Sequence, residues 1–236
     1  MYLRSVELLS AKIENRNQYP FDIPAIRSLE RLELTNNVTF FVGENGSGKS
    51  TLLEGIAHQC GFNTAGGGRN NTYETHASES SLGNYLRLAW LPKITNGFFM
   101  RSESFYQFAS HVDEMPASLQ YYGGRSLHEQ SHGESFLSLF VNRFSSKGIY
   151  LLDEPEAALS PARQLSLLRI LHDLSGTSQF IIATHSPILL GYPGAEILSF
   201  DDSHIQEIAY EETDHYQITR SFLENRDRML NELFKE

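Results

Sequence analysis

Apolar and polar residues alternate in YLRSVELL (2–9) and again in IRSLERLEL (26–34), so the first 35 residues read as paired strands with one covered face. The run VTFFV (38–42) has no alternation. It is β-branched and aromatic, and it meets a glycine-rich turn before a helical pattern, TLLEGIAHQ, that stops at Gly61. Residues 61–83 lack periodicity and are rich in Gly, Asn, Ser and Thr, which predicts a long flexible loop. RLAWLPK and GFFMR read as further strands, SESFYQFASHVDEM as a helix, QYYGGRSLHEQ as a loop and GESFLSLFVNRFSS as a second helix.

GIYLLDEP is a buried strand with a polar stop. ALSPARQLSLLRILHDLSG carries its own punctuation: Ser160 as N-cap, Pro161 in the first turn and Gly176 at the end. QFIIATHSPILLG is a strand running into a turn, AEILSF another strand, and TDHYQITRSFLENRDRMLNELF an amphipathic helical tail. Strands alternating with helices predict a mostly parallel sheet covered on both faces, with an antiparallel sheet added near the N-terminus. Nothing divides the 236 residues, so a single α/β domain over 1–236 is expected, with a helical subregion at about 84–147.

Composition changes this picture little. Hydrophobic residues make up 40% and charged residues 20%, an ordinary globular balance. A net charge of -10 disfavours non-specific wrapping of nucleic acid, because each phosphate contact needs a local cation. Cys60 is the one cysteine, so an internal disulfide is excluded and a reducing, cytoplasmic setting is expected. No apolar run reaches the roughly 20 residues of a membrane span, so a membrane role needs a separate membrane partner.

The chemistry is concentrated at three strand ends. Gly43-Glu44-Asn45-Gly46-Ser47-Gly48-Lys49-Ser50 fits G-x-x-x-x-G-K-[ST], between a strand and a helix. The glycines let backbone N–H groups turn inward around phosphate oxygens, and the helix N-terminus adds partial positive charge. Lys49 is expected to reach the β- and γ-phosphates and Ser50 to ligate Mg²⁺. The adjacent Asp153 and Glu154 close an apolar strand, where burying two acids is costly unless a cation or a polar reaction is at hand. Asp153 suits Mg²⁺, directly or from behind its ligands, and Glu154 suits orienting water for in-line attack. His185 ends the strand of FIIATHSP, where it can contact a γ-phosphate oxygen or the attacking water, or simply cap the strand.

Residues 131–135, SHGES, gather a serine, a histidine and a carboxylate as a hydrolase does. Neighbours on a turn into a helix diverge, whereas a triad must converge, so a hydrolase reading fails. In their order, GENGSGKST, SHGES, GIYLLDEP, the following EAALS and THS resemble the ABC-type ATPases, including their SMC- and RecF-like branch. The resemblance runs from about Val38 to about Ser199. It implies an ABC-type P-loop ATPase head that binds ATP with Mg²⁺ through Gly43 to Thr51, Ser50, Asp153 and His185, with Glu154 catalytic.

It also implies that Ser131 and Gly133 act as the signature face toward ATP held by a second copy, making the working form an ATP-sandwiched homodimer. Gln130, His132 and Glu134 depart from the LSGGQ pattern. The Q-loop place holds no glutamine at the strand end; Arg101, Ser102, Glu103 or Gln107 occupies it. An adenine-stacking aromatic is expected at Tyr19 or Phe21. The implied output is ATP hydrolysis coupled to DNA repair or defence, through nucleic acid or an operon-encoded partner. The alternatives are a membrane-transporter subunit and a slow nucleotide-dependent switch.

Overall fold

The computed structural model describes residues 1–64, 66–69, 81–113, 126, 132–144 and 147–235. Its centre is a six-stranded sheet in the order β5-β6-β7-β3-β8-β9. Here β3 is Val38–Val42, β5 Gly97–Arg101, β6 Ile149–Asp153, β7 Gln179–Ala183, β8 Glu196–Ser199 and β9 Gln206–Glu207. The first five run parallel and β9 is antiparallel to β8. A smaller antiparallel sheet, β2-β1-β4, is built from Leu3–Leu8 (β1), Arg31–Glu33 (β2) and Leu86–Trp90 (β4).

The parallel strands are buried on both faces, which is why their sequences are continuous apolar runs. Phe41, Leu151 and Ile181 face one way, into a cluster with Leu52, Leu53 and Ile56 of helix α2 (Lys49–Cys60) and Val6 and Leu8 of β1. Phe40, Leu152, Phe180 and Ile182 face the other way, onto α3 (Phe105–Asp113), α4 (His132–Arg143) and α5 (Pro161–Leu174) through Phe105, Phe136, Phe140, Leu167 and Leu171. A short α1 (Pro24–Arg27) overlaps the start of the 26–34 segment that the alternation assigned to a strand. Its Ala25 and Ile26 are buried, and Pro24 starts it from a first-turn position.

Two buried polar side chains tie distant parts together. The Gln179 amide accepts from the backbone N–H of Tyr2 (2.9 Å) and Leu3 (2.8 Å) and donates to the Leu3 carbonyl (2.9 Å), fastening β1 to β7. Glu196 accepts from the hydroxyls of Thr35 (2.6 Å) and Thr39 (2.9 Å). In the 61–83 segment, the described parts are bonded in: Gly67 bridges to Phe99, Arg69 Nε donates to the Cys60 carbonyl (2.8 Å), and Leu82 is fully buried.

The tail is two helices, α7 (Asp214–Glu224) and α8 (Arg226–Leu233), separated at Asn225. A four-residue α6 (Pro187–Leu190) follows β7.

Candidate active site at the carboxyl edge of the sheet

Every strand of the parallel set delivers a polar residue to one edge. Buried β3 ends at Val42, and the loop then takes φ values of 140°, 81° and 104° at Gly43, Gly46 and Gly48. A side chain would strain all three. Glu44, Asn45 and Gly46 are exposed at the loop tip, and Ser47 is half-buried behind them. Lys49, the first residue of α2, is buried; its Nζ donates to the carbonyls of Gly43 (2.6 Å) and Glu44 (2.8 Å) and reaches Ser47 Oγ at 3.4 Å. Burial pulls its pKa down, and Glu154, Asp201, Asp153 and Glu44 oppose that shift.

Asp201, just past β8, accepts the Glu44 backbone N–H at 2.6 Å. Sequence reasoning passed over this residue. The doublet Asp201-Asp202 after an apolar strand was the available signal, and only the β3–β8 pairing sets it beside the loop.

Beside the loop, Ser50 Oγ donates to Asp153 Oδ1 at 2.8 Å. Asp153 is buried at the end of β6, and desolvation pushes its pKa up to about 6 against the Ser50 hydrogen bond and the Arg101 charge. Arg101 is opposite Asp153 in the β5–β6 register. Its guanidinium lies 3.7 Å from Asp153, 3.4 Å from Glu54 and 3.0 Å from Glu103. Arg101, one of the four Q-loop candidates, thus faces the acids. Ser102 Oγ donates to the Glu154 carbonyl at 2.7 Å, Glu103 is exposed, and Gln107 lies within α3.

Glu154 has φ 49°, a left-handed conformation rarely taken by a non-glycine residue. Its N–H donates to the Ala183 carbonyl at 2.9 Å, and its side chain is turned out into the edge. Strain of this kind, about 1–3 kcal/mol, persists where the surroundings fix it and clusters at functional sites.

His185 leaves β7 beside it, with Nε2 3.8 Å from Glu154 Oε1. Glu156 grips the same turn, accepting from the His185 N–H (2.6 Å) and from Thr184 Oγ1 (2.8 Å). Burial holds the Glu156 carboxyl above its ordinary range and His185 below its own. The other ring nitrogen, Nδ1, meets His215 Nε2 of α7 at 2.8 Å. Glu156 opens the EAALS stretch of the resemblance but was given no role of its own, and His215 was not singled out from the sequence.

The structure therefore brings together Gly43 to Ser50, Asp153, Glu154 and His185. Tyr19 joins them at the rim: it is exposed, and its hydroxyl lies 3.3 Å from Thr51 Oγ1. Phe21, the other aromatic considered for adenine, is buried edge-on against Tyr85 (4.9 Å) and has no free face for a base. Ser131 lies outside the described residues, and Gly133 falls in the first turn of α4.

A family model described as "AAA domain" matches residues 10–111, and one described as "AAA domain, putative AbiEii toxin, Type IV TA system" matches residues 119–191. A solved structure described as "an inward-facing conformation of a putative metal-chelate type ABC transporter" aligns with a TM-score of 0.53 and 18% identity, over 92% of this chain and 88% of that one. The chain shares its fold with the matching chain of that structure.

Two further structures align with this chain at lower scores. The SMC head domain from Thermotoga maritima is 16% identical over 88% of this chain and 98% of that chain (TM-score 0.46). An ATP-binding cassette of an ABC transporter in its ADP conformation is 17% identical over all of both chains (TM-score 0.49). No curated protein matches the chain. Among the described residues, no helix is long and apolar enough to cross a membrane.

The donor set suits the Mg²⁺ expected from the sequence. Ser50 and Asp153 offer a hydroxyl and a carboxylate within 2.8 Å of each other, hard oxygens of the kind Mg²⁺ selects while keeping water and phosphate oxygens as its other ligands.

Proposed function

We propose that this chain binds Mg-ATP and hydrolyses it, two copies closing head to tail around two nucleotides. The observation that carries the reading is the gathering of Lys49, the Ser50–Asp153 pair, Glu154 and His185 at one sheet edge, with Glu154 and His185 3.8 Å apart. Ligands of open α/β sheets bind outside the carboxyl ends of the strands. In this reading the N–H groups of Gly43 to Thr51 cradle the phosphates, and Lys49 leaves its loop carbonyls to neutralise them. Ser50 and Asp153 hold Mg²⁺, whose charge offsets that of the phosphate oxygens.

Glu154 orients water toward the terminal phosphate, His185 contacts that phosphate, and Tyr19 stacks on adenine. Ser131 and Gly133 complete the site from the other copy. A lone copy lacks that face and turns over slowly.

Glu154→Gln tests this. It removes a positioned base, so turnover falls about 10²–10⁴-fold while ATP binding persists. With Mg-ATP, the variant elutes from size-exclusion chromatography as a dimer; a monomer under those conditions overturns the sandwich. The reading extends to an output in DNA repair or defence, which the matched model's toxin–antitoxin description favours over transport. Duplex DNA then stimulates ATP turnover, and the stimulation fades with salt. Co-purification with a membrane protein in detergent would instead favour a transporter subunit.

A further inference from the structure

His185 Nε2 is buried and has no hydrogen-bond partner among the described residues. It points into the edge, 3.8 Å from Glu154 Oε1. The ring's other nitrogen is engaged by His215 at 2.8 Å, so one proton is shared between Nδ1 of His185 and Nε2 of His215. Burial and the nearby Lys49 charge hold both rings toward the neutral form, in which each imidazole carries a single proton.

Its location follows from electrostatics. If His185 supplied the shared proton, its Nε2 would present a bare lone pair to the Glu154 carboxylate and to any phosphate beyond it. If His215 supplies it, Nε2 of His185 carries an N–H that faces those negative groups.

We propose that His215 is a positioning residue: its Nε2–H donates to His185 Nδ1 and thereby sets the His185 proton on Nε2, aimed at the terminal phosphate. This rests on the ATPase reading above and adds the C-terminal segment to its machinery. The fold supports His215 in that place. Thr213, buried just before it, caps α7 by accepting from the Tyr216 N–H and donates to the Tyr210 carbonyl at 2.7 Å. Tyr210 donates through its hydroxyl to the Pro187 carbonyl (3.0 Å), two residues past His185. The start of α7 is thus fastened to the turn whose histidine it orients. Glu156 holds the backbone of that turn, and His215 holds its ring.

The test combines a spectroscopic readout with turnover. Long-range ¹H–¹⁵N spectra of the labelled full chain are expected to show His185 as the Nε2–H tautomer. His215→Leu removes the donor; the Nε2–H tautomer loses its preference and kcat falls about 10–100-fold with KM for ATP little changed, the usual cost of freeing a functional histidine from its orienting group. His215→Gln restores an amide N–H at similar reach and recovers both the tautomer and the turnover. A wild-type His185 protonated on Nδ1, or Leu and Gln variants that behave alike, overturns the proposal. The ATPase reading is checked separately: a folded wild type without ATP turnover sinks that reading, while the tautomer still decides what His215 does.

Discussion

Asp153, at the candidate site, costs the fold stability when its carboxyl is charged. Its carboxyl is held up near pH 6 in the folded chain, against an ordinary value of 3.8. A folded-state pKa raised above the unfolded one means that the native state binds the proton more tightly. Without Mg²⁺ and nucleotide, the charged form therefore costs stability above about pH 6, and the cost disappears as pH falls toward 4. Asp153→Asn keeps an acceptor for Ser50 and removes the buried charge. In EDTA at pH 7.5 it should raise Tm, with a gain that shrinks between pH 6 and 4, while Mg-dependent turnover is lost; calorimetry across pH reads the first and phosphate release the second. At this scale the site was largely legible. Gly43 to Ser50, Asp153, Glu154 and His185 carry residue types that a strand end rarely needs unless a phosphate or cation is near. Glu156, Asp201 and His215 were not, because their partners lie at least 28 residues away in sequence; Arg101 was one of four candidates until the β5–β6 register set it opposite Asp153.

Elements place those residues, and β5 shows how strictly. Gly97 pairs with Ile149, and a Cβ there would lie 2.1 Å from the Ile149 carbonyl oxygen and 2.6 Å from the Phe62 ring. The first obstacle is backbone, so Gly97→Ala must shift β5. We expect a stability loss at the upper end of the ~1–3 kcal/mol typical of overpacking, seen as a lower urea midpoint. Turnover should fall as well, because the same strand carries Arg101 to Asp153. Strand identities followed from the apolar runs and helix α2 from its own pattern. The tail did not: its amphipathic period continues through Asn225, yet the chain breaks there, at φ -131° and ψ 34°. Asn225 Nδ2 bonds back to the Ser221 carbonyl at 3.3 Å, the kind of local side-chain bond that competes with a helix. Likewise Pro24 and buried Ile26 turn the alternating 26–34 stretch helical at its start, because packing against the α2 side of the core outweighs the period.

For the molecule as a whole, the sheet is a wall between two apolar clusters, and Cys60 at the end of α2 reports on one of them. Burial pushes its thiol up to about 12. The native state again holds the proton more tightly, so this group favours unfolding as pH rises from about 9 toward 12. At pH 8 the thiol should react with an alkylating probe only through unfolding. A nucleotide that binds the native state at 100 times its Kd should slow that labelling about 100-fold, equivalent to about 2.7 kcal/mol; mass spectrometry of labelled Cys60 measures it. The parallel strands, the glycine loop and the acids at the strand ends are written in the chain locally, because each is encoded by neighbours within a few residues. The order β5-β6-β7-β3-β8, and with it which strand ends touch, comes from the fold. The fold also decided that Gln179 and Glu196 are buried, and that a histidine from the tail meets His185. Those outcomes depend on contacts between residues far apart in the chain, where each partner carries no mark of the other and the shared core fixes who meets whom.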